Sequence, residues 1–379
     1  MTTAVPGKRT RTIGVLAMAF ATLVATGCAR FDDSAASPFT PEPSFKSGGD
    51  LNPNAPKRPP TSTTPQPRPS GPCIDPDPNV VATCLDTTGG LVVLPDGQSA
   101  LVAERLTGRI LQVVPGRPAT EVARIAVDGS ADGGLLDLAL SPAYVEDGLI
   151  YAYITTGEDN RVVRIAPGDL PKDVLTGIPK GANGNGGAIA FTKPNELAVL
   201  TGDAGNPEAA SDPASLSGKL FRIDPSVAPA PKVPQVALSG IGVAGDACTD
   251  PNGTVWVTDR TAAEDRLQKI DKNGVVVSPA WTWPDRPGVA GCAVSAGAVA
   301  VSLTGAKAVA IVPVDANSGA VTSAPSLAAQ DMYGQLGGAA LGPDGTLWAG
   351  TVNKTGGQPG PNDDRVVKIP VPAGGGGSD

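Results

Sequence analysis

The sequence predicts an all-β chain folded as a six-bladed β-propeller, and three observations carry that expectation. The 379 residues include 48 Gly and 39 Pro but only 4% aromatics, a turn-rich balance that fits sheet architecture better than helical bundles. Its apolar stretches are short and bounded by Gly, Pro, Asn and Asp, as in antiparallel hairpins. A unit of strand, Pro/Asp/Gly turn, strand, polar loop and strand recurs six times, at the roughly 40–50 residue spacing of propeller blades. Two stacked sheets are the competing architecture.

The units run in order from Thr87. Residues 91–94 meet the turn Pro95-Asp96-Gly97, then 100–104 and 108–113. Residues 138–142 lead to 149–153 and 161–165. The third unit, residues 181–225, begins with a glycine-rich approach and the apolar run 188–191. It turns at Lys193-Pro194-Asn195, continues through 196–200 and the loop 201–206, and ends with 218–223. Residues 247–259 with 266–270 form the fourth unit, and 292–294, 298–303 and 308–314 the fifth, which has no turn motif. Residues 339–350 and 365–369 form the sixth.

Ahead of the repeats lies a different kind of sequence. Residues 1–27 read as a lipoprotein signal peptide: Lys8, Arg9 and Arg11 precede an apolar run, 13–24, too short for a permanent membrane span. That run ends at Ala25-Thr26-Gly27-Cys28, a lipobox pattern that makes Cys28 the acceptor of a lipid anchor; an ordinary signal peptide is the plainer alternative. Residues 28–72 are rich in Pro, Ser and Thr and predict an extended tether. The propeller is expected over 73–370, and the glycine-rich residues 371–379 predict a disordered tail. These features place the chain outside the cell, anchored to the outer face of the cell membrane.

Cys73, Cys84, Cys248 and Cys292 remain, an even number that in an exported chain points to two disulfides. Three connectivities are open; the favoured one pairs Cys73 with Cys84 and Cys248 with Cys292, the latter joining neighbouring sheets.

Charge and composition remove several function classes. The chain contains no histidine, which excludes His general bases, Ser-His-Asp and Cys-His systems and His-ligated metals. Its formal charge is −8, and without Lys8, Arg9 and Arg11 about −11, so nucleic acid is a poor partner. The loops expected at the mouth of the propeller carry Glu104, Arg105 and the candidate ligand-binding residues Asp132, Asn183, Asn185, Asp203, Asn206, Asp259, Arg260 and Gln335. For each Asp or Asn the bland reading is a turn residue bonding its own backbone. Asp203, Asp259, Glu264 and Asp265 are the carboxylates that offer oxygen ligands to Ca²⁺. Residues 181–187 lack the Gly-Lys-Ser/Thr of a phosphate loop.

Over most of residues 88–370 the chain resembles the glucose/sorbosone dehydrogenase family, the soluble PQQ-dependent sugar dehydrogenases. The matching stretches are Glu104-Arg105 with Gly108-Arg109-Ile110, residues 132–142, Thr201-Gly202-Asp203-Ala204-Gly205, residues 218–224 and residues 342–348; Ala280-Trp281-Thr282-Trp283-Pro284 matches loosely. The resemblance implies a six-bladed propeller in which a histidine takes the sugar proton, an acidic neighbour tunes it, arginines hold the carboxylates of PQQ, and Ca²⁺ polarises the quinone. Here Gly184 stands at the position of that histidine and Asn183 at the acidic one. Gln335 and Gly337 occupy the last-blade arginine positions, and residues 239–242 lack an expected Arg-Asn pair.

The favoured expectation is therefore a non-catalytic envelope lipoprotein whose propeller binds a sugar, a glycan or another envelope protein, in an acidic funnel without a resident cofactor. Two alternatives stay open: a PQQ-type oxidoreductase with a carboxylate such as Asp203 as base, and a Ca²⁺-dependent lactone or ester hydrolase.

Overall fold

The computed structural model describes residues 71–230 and 234–371. The signal peptide, Cys28, most of the tether and most of the tail lie outside those residues. Six four-stranded antiparallel sheets form the blades of a propeller.

Blade 1 comprises β2 (Thr88–Val93), β3 (Ala100–Glu104), β4 (Arg109–Val113) and β5 (Thr120–Arg124). Blade 2 comprises β6 (Leu135–Leu140), β7 (Ile150–Thr155), β8 (Asn160–Ile165) and β9 (Lys172–Ile178). Blade 3 has β10 (Gly187–Lys193), β11 (Glu196–Thr201), β12 (Lys219–Ile223) and β13 (Gln235–Ser239). Blade 4 has β14 (Ala247–Thr249), β15 (Val255–Arg260), β16 (Asp265–Ile270) and β17 (Val276–Trp283). β18 (Val289–Ser295), β19 (Ala298–Leu303), β20 (Ala308–Pro313) and β21 (Ser326–Ala328) make blade 5. Blade 6 joins β22 (Leu336–Leu341), β23 (Thr346–Thr351) and β24 (Val366–Pro370) to β1 (Val80–Ala82), which precedes blade 1 in the chain.

That last pairing closes the ring. Val80 pairs with Val367 and Ala82 with Val366, so the start of the domain completes its final sheet and covers an edge that would otherwise invite another chain. The Cys73–Cys84 disulfide flanks β1, and Cys248–Cys292 links β14 of blade 4 to β18 of blade 5. Both favoured pairings are formed.

Local chemistry explains the hairpins. In the Asp-containing turns, Asp96 Oδ1 accepts the amides of Gln98 and Ser99, Asp250 Oδ1 those of Asn252 and Thr254, and Asp344 Oδ1 that of Thr346. The second strand of each blade is packed on both faces by neighbouring blades. It therefore reads as a continuous apolar run: every residue of β3, β7 and β19 is buried. Outer strands face solvent; β5 is mostly exposed.

The first strands β2, β6, β10, β14, β18 and β22 surround the axis, where six backbones converge. At Gly89 an added Cβ would meet Leu135 O at 2.4 Å, and at Gly291 it would meet Ala339 N at 2.4 Å. Glycine at those points is what lets adjacent blades approach this closely. Side chains then staple blade to blade. Asp137 Oδ2 accepts the Ile189 amide at 2.8 Å and Asp246 Oδ2 that of Cys292 at 2.8 Å.

Candidate functional site

Along the axis runs a cavity of about 710 Å³, lined by all six first strands and by the loops at one end of them. Its walls are largely backbone and small apolar side chains. Its polar side chains include Arg105, Asp132, Arg260, Thr304, Gln335 and Thr355, with Asp137 on β6 and Asp246 immediately before β14.

Three of the candidate ligand-binding residues line this cavity: Asp132, Arg260 and Gln335. Asp132, in the loop before β6, is engaged by the neighbouring blade. Its Oδ2 accepts the Gly184 amide at 2.7 Å and its Oδ1 accepts Asn185 Nδ2 at 2.7 Å. Asn185 is buried behind it and also bonds Gly181 and Asn160, away from the cavity. Asn183 is exposed and is not among the lining residues. Asp203 Oδ1 accepts the Gly205 amide at 2.8 Å, and Asn206 caps the short helix α2 (Pro207–Ser211) through Ala209 N. Both belong to loop construction.

The four carboxylates named for Ca²⁺ are not brought together. Asp259 is fully buried against Arg266, with Oδ2 accepting from both Nε at 3.0 Å and Nη2 at 2.7 Å. Asp265 Oδ2 accepts the Gly288 and Val289 amides, Asp203 closes its own turn, and Glu264 stands in the loop before β16. Among the described residues no three acidic or cysteine side chains converge as a metal set. Backbone amides and one guanidinium already hold three of these four groups, which is why they point apart.

The cavity mouth is also less acidic than its sequence implies. Arg105 Nη1 donates to Ala131 O at 3.2 Å and Gly133 O at 2.6 Å; Arg260 Nη2 reaches only Ala244 O, at 3.4 Å. Among the described residues neither guanidinium is within salt-bridge distance of a carboxylate, and Arg260 Nε is buried with no hydrogen-bond partner. Burial lowers the pKa of both arginines; Asp132 opposes this at each, with Asp86 at Arg105 and Asp265 and Asp259 at Arg260.

Deeper in the channel sit two carboxylates that motif reading passed over. Asp137 is only 8% exposed. Burial, and then the charge of Asp246, push it well above the usual carboxylate range. Asp246 is reached from the cavity yet enclosed by protein, and burial raises it to about 6 against the bonds from Cys292 and Ala247. The sign follows from linkage. Both groups bind protons more tightly folded than unfolded, so their contribution to stability falls as pH rises from about 4 through 6 and beyond. D137N, which can keep a carbonyl facing the Ile189 amide, is expected to melt progressively higher than the parent as pH goes from 5 to 8. The gain should be largest at the top of that range. A difference that is flat with pH would refute the assignment.

A six-bladed propeller with one axial cavity is the class of protein these features define. The glucose/sorbosone dehydrogenase family model matches residues 85–242. The PQQ-bound aldose sugar dehydrogenase of Streptomyces coelicolor is similar at 30% identity and a TM-score of 0.70, covering 77% of this chain and 96% of that one. A putative oxidoreductase (glucose dehydrogenase) of Thermus thermophilus is 28% identical with a TM-score of 0.66, over 76% and 98% of the two chains. The apo soluble aldose sugar dehydrogenase of Escherichia coli shares the fold at 19% identity, with a TM-score of 0.63 over 77% and 99%. A search of curated proteins finds no match. The chain belongs to the glucose/sorbosone dehydrogenase family.

Proposed function

We propose that this chain is an exported, lipid-anchored envelope lipoprotein whose propeller binds a ligand or partner rather than oxidising sugars. Together the lipobox at Cys28, the Pro-rich tether and the propeller resemble the mycobacterial lipoprotein LppZ. The anchor would hold the domain at the outer face of the cell membrane, where a sugar, a glycan or another envelope protein is within reach.

One observation carries the non-catalytic reading. Gly184, at the position of the family's general base, has φ +71°, and its amide is bound by Asp132. A Cβ there would lie 2.4 Å from Asp203 Oδ1, so the loop is built around a residue without a side chain. Asp203 itself does not line the cavity and bonds Gly205, which disfavours it as a replacement base.

The residues at the family's last-blade arginine positions do not fit the cofactor named with the Streptomyces relative. Gln335 and Gly337 line the cavity where the resemblance expects arginines, and a tricarboxylated quinone depends on such pairs for orientation. A missing base alone is worth about 10²–10⁴ in rate.

The test is a titration of the protein with PQQ and Ca²⁺, singly and together, followed by an assay with aldoses and a dye acceptor. No aldose-dependent reduction above the protein-free control is expected. PQQ-dependent turnover would overturn the proposal and make the chain a dehydrogenase with a different base.

A further inference from the structure

We propose that the mouth of the axial cavity is a site for a sugar acid, a polyhydroxylated ligand whose carboxylate is received by Arg105 and Arg260. The assignment deepens the binding-module reading and rests on it.

Two arginines on different blades face one cavity without a carboxylate partner, in a chain of net charge −8. The nearby acids are all otherwise engaged. Asp259 pairs with Arg266, Asp265 receives the amides of Gly288 and Val289, Asp132 receives Gly184 and Asn185, and Asp86 receives the Thr87 amide. A half-buried guanidinium with an orphaned Nε is an incomplete arrangement, because a desolvated donor without an acceptor destabilises the structure. Nε itself is closed off from solvent, so a ligand meets the terminal nitrogens. Nη1 makes no hydrogen bond among the described residues and Nη2 only the long one to Ala244 O, and an incoming carboxylate supplies these with charge-assisted hydrogen bonds, the strong and directional kind.

The remaining polar groups at that end fit hydroxyls. Gln335 makes no side-chain hydrogen bond among the described residues, and its amide offers both a donor and acceptors. Thr304 and Thr355 line the cavity; their hydroxyls donate to Gly288 O and Thr87 Oγ1 and retain acceptor capacity. A neutral sugar would leave both guanidiniums unmatched; a purely aliphatic acid would leave the amide and hydroxyls unmatched.

The test is calorimetric titration of the full chain in detergent, at low salt, with D-glucuronate, D-gluconate, D-glucose and PQQ, for the parent and for Arg105→Gln, Arg260→Gln and Arg260→Lys. The expected result is binding of at least one of the two acids, at least tenfold tighter than glucose. Each glutamine variant should weaken it tenfold or more, with Arg260→Lys losing less than Arg260→Gln. Melting curves report whether each variant is folded; Arg105 interacts with backbone carbonyls only, so its variant keeps the test decisive if Arg260→Gln does not fold. Three results would overturn the assignment: glucose binding as tightly as the acids, affinity unchanged in the glutamine variants, or no binding of either acid. PQQ displacing the acids at lower concentration would assign the guanidiniums to the family's cofactor instead. The aldose-oxidation assay reads dye reduction with no sugar acid added, so it tests the binding-module proposal separately from acid affinity.

Discussion

Replacing Gly184 with histidine is expected to destabilise the domain by about 2–4 kcal/mol and to create no sugar dehydrogenase activity. The backbone at 184 is in the left-handed region, which costs any β-carbon-bearing residue about 1–2 kcal/mol. Collision adds to that. The new Cβ would sit 2.4 Å from Asp203 Oδ1, 2.7 Å from Gly205 N and 3.0 Å from Ala204 N. These atoms are not free to retreat: Asp203 Oδ1 holds Gly205 N, and Ala204 N donates to Gly184 O at 2.9 Å. Relief requires parting two loops that are bonded to each other and, through Asp132, to blade 2. Denaturant midpoints for G184A and G184H measure the two parts separately, since alanine carries the backbone cost and first contact while histidine adds the ring. A fully stable G184H with PQQ-dependent turnover would mean that the loop tolerates a base, and that one substitution accounts for the lost chemistry.

How much of this was readable beforehand depended on whether the determining interaction is local. The Asp96-Gly97, Asp250-Pro251-Asn252-Gly253 and Asp344-Gly345 turns announce themselves because the bonds that make them span two to four residues. Parity pointed to two disulfides but left three connectivities open, and the favoured one is the pairing formed. The outer strands were not legible: β5 is Thr-Glu-Val-Ala-Arg and β21 only three residues, and neither carries an apolar pattern because neither faces a second blade. Closure through β1 was invisible for another reason, since its partner lies more than 280 residues away.

The site shows the same division. Asp132, Arg260 and Gln335 could be placed by loop position, but whether an Asp or Asn in such a loop faces a ligand or its own backbone depends on atoms contributed by other loops. Asn206 became a helix cap, and Asn185 a strut between blades. Asp137 had a usable signal. It is a lone carboxylate in the otherwise apolar run Leu-Leu-Asp-Leu-Ala-Leu. Its meaning needs the propeller axis, because only there do the first strands of six blades face one another.

Removing the Arg266 side chain is expected to destabilise the domain most, by about 3–5 kcal/mol at pH 7, since it leaves Asp259 as a buried charge without its partner. Asp259 is fully buried, and burial already raises its pKa even with Arg266 pairing it. In R266A only amides remain, chiefly Gly242 N at 2.9 Å. The folded-state pKa of Asp259 would then rise further above its unfolded value, so the penalty is greatest at neutral and higher pH. It shrinks as pH falls toward the unfolded pKa near 4, where both states are protonated. Urea denaturation of R266A and the parent between pH 4.5 and 8 measures that trend. A double replacement, Asp259→Leu with Arg266→Met, should recover much of the loss, because the cost lies in the uncompensated charge rather than in a missing attraction. The pair also bears on the cavity. Arg266 Nη2 donates to Gly240 O, Asp259 holds Gly242, and the next residue along β15 is Arg260. If the pair orients that guanidinium, R266A should lose sugar-acid affinity under conditions where it remains folded, whereas a pair that only stabilises the blade would leave the affinity unchanged.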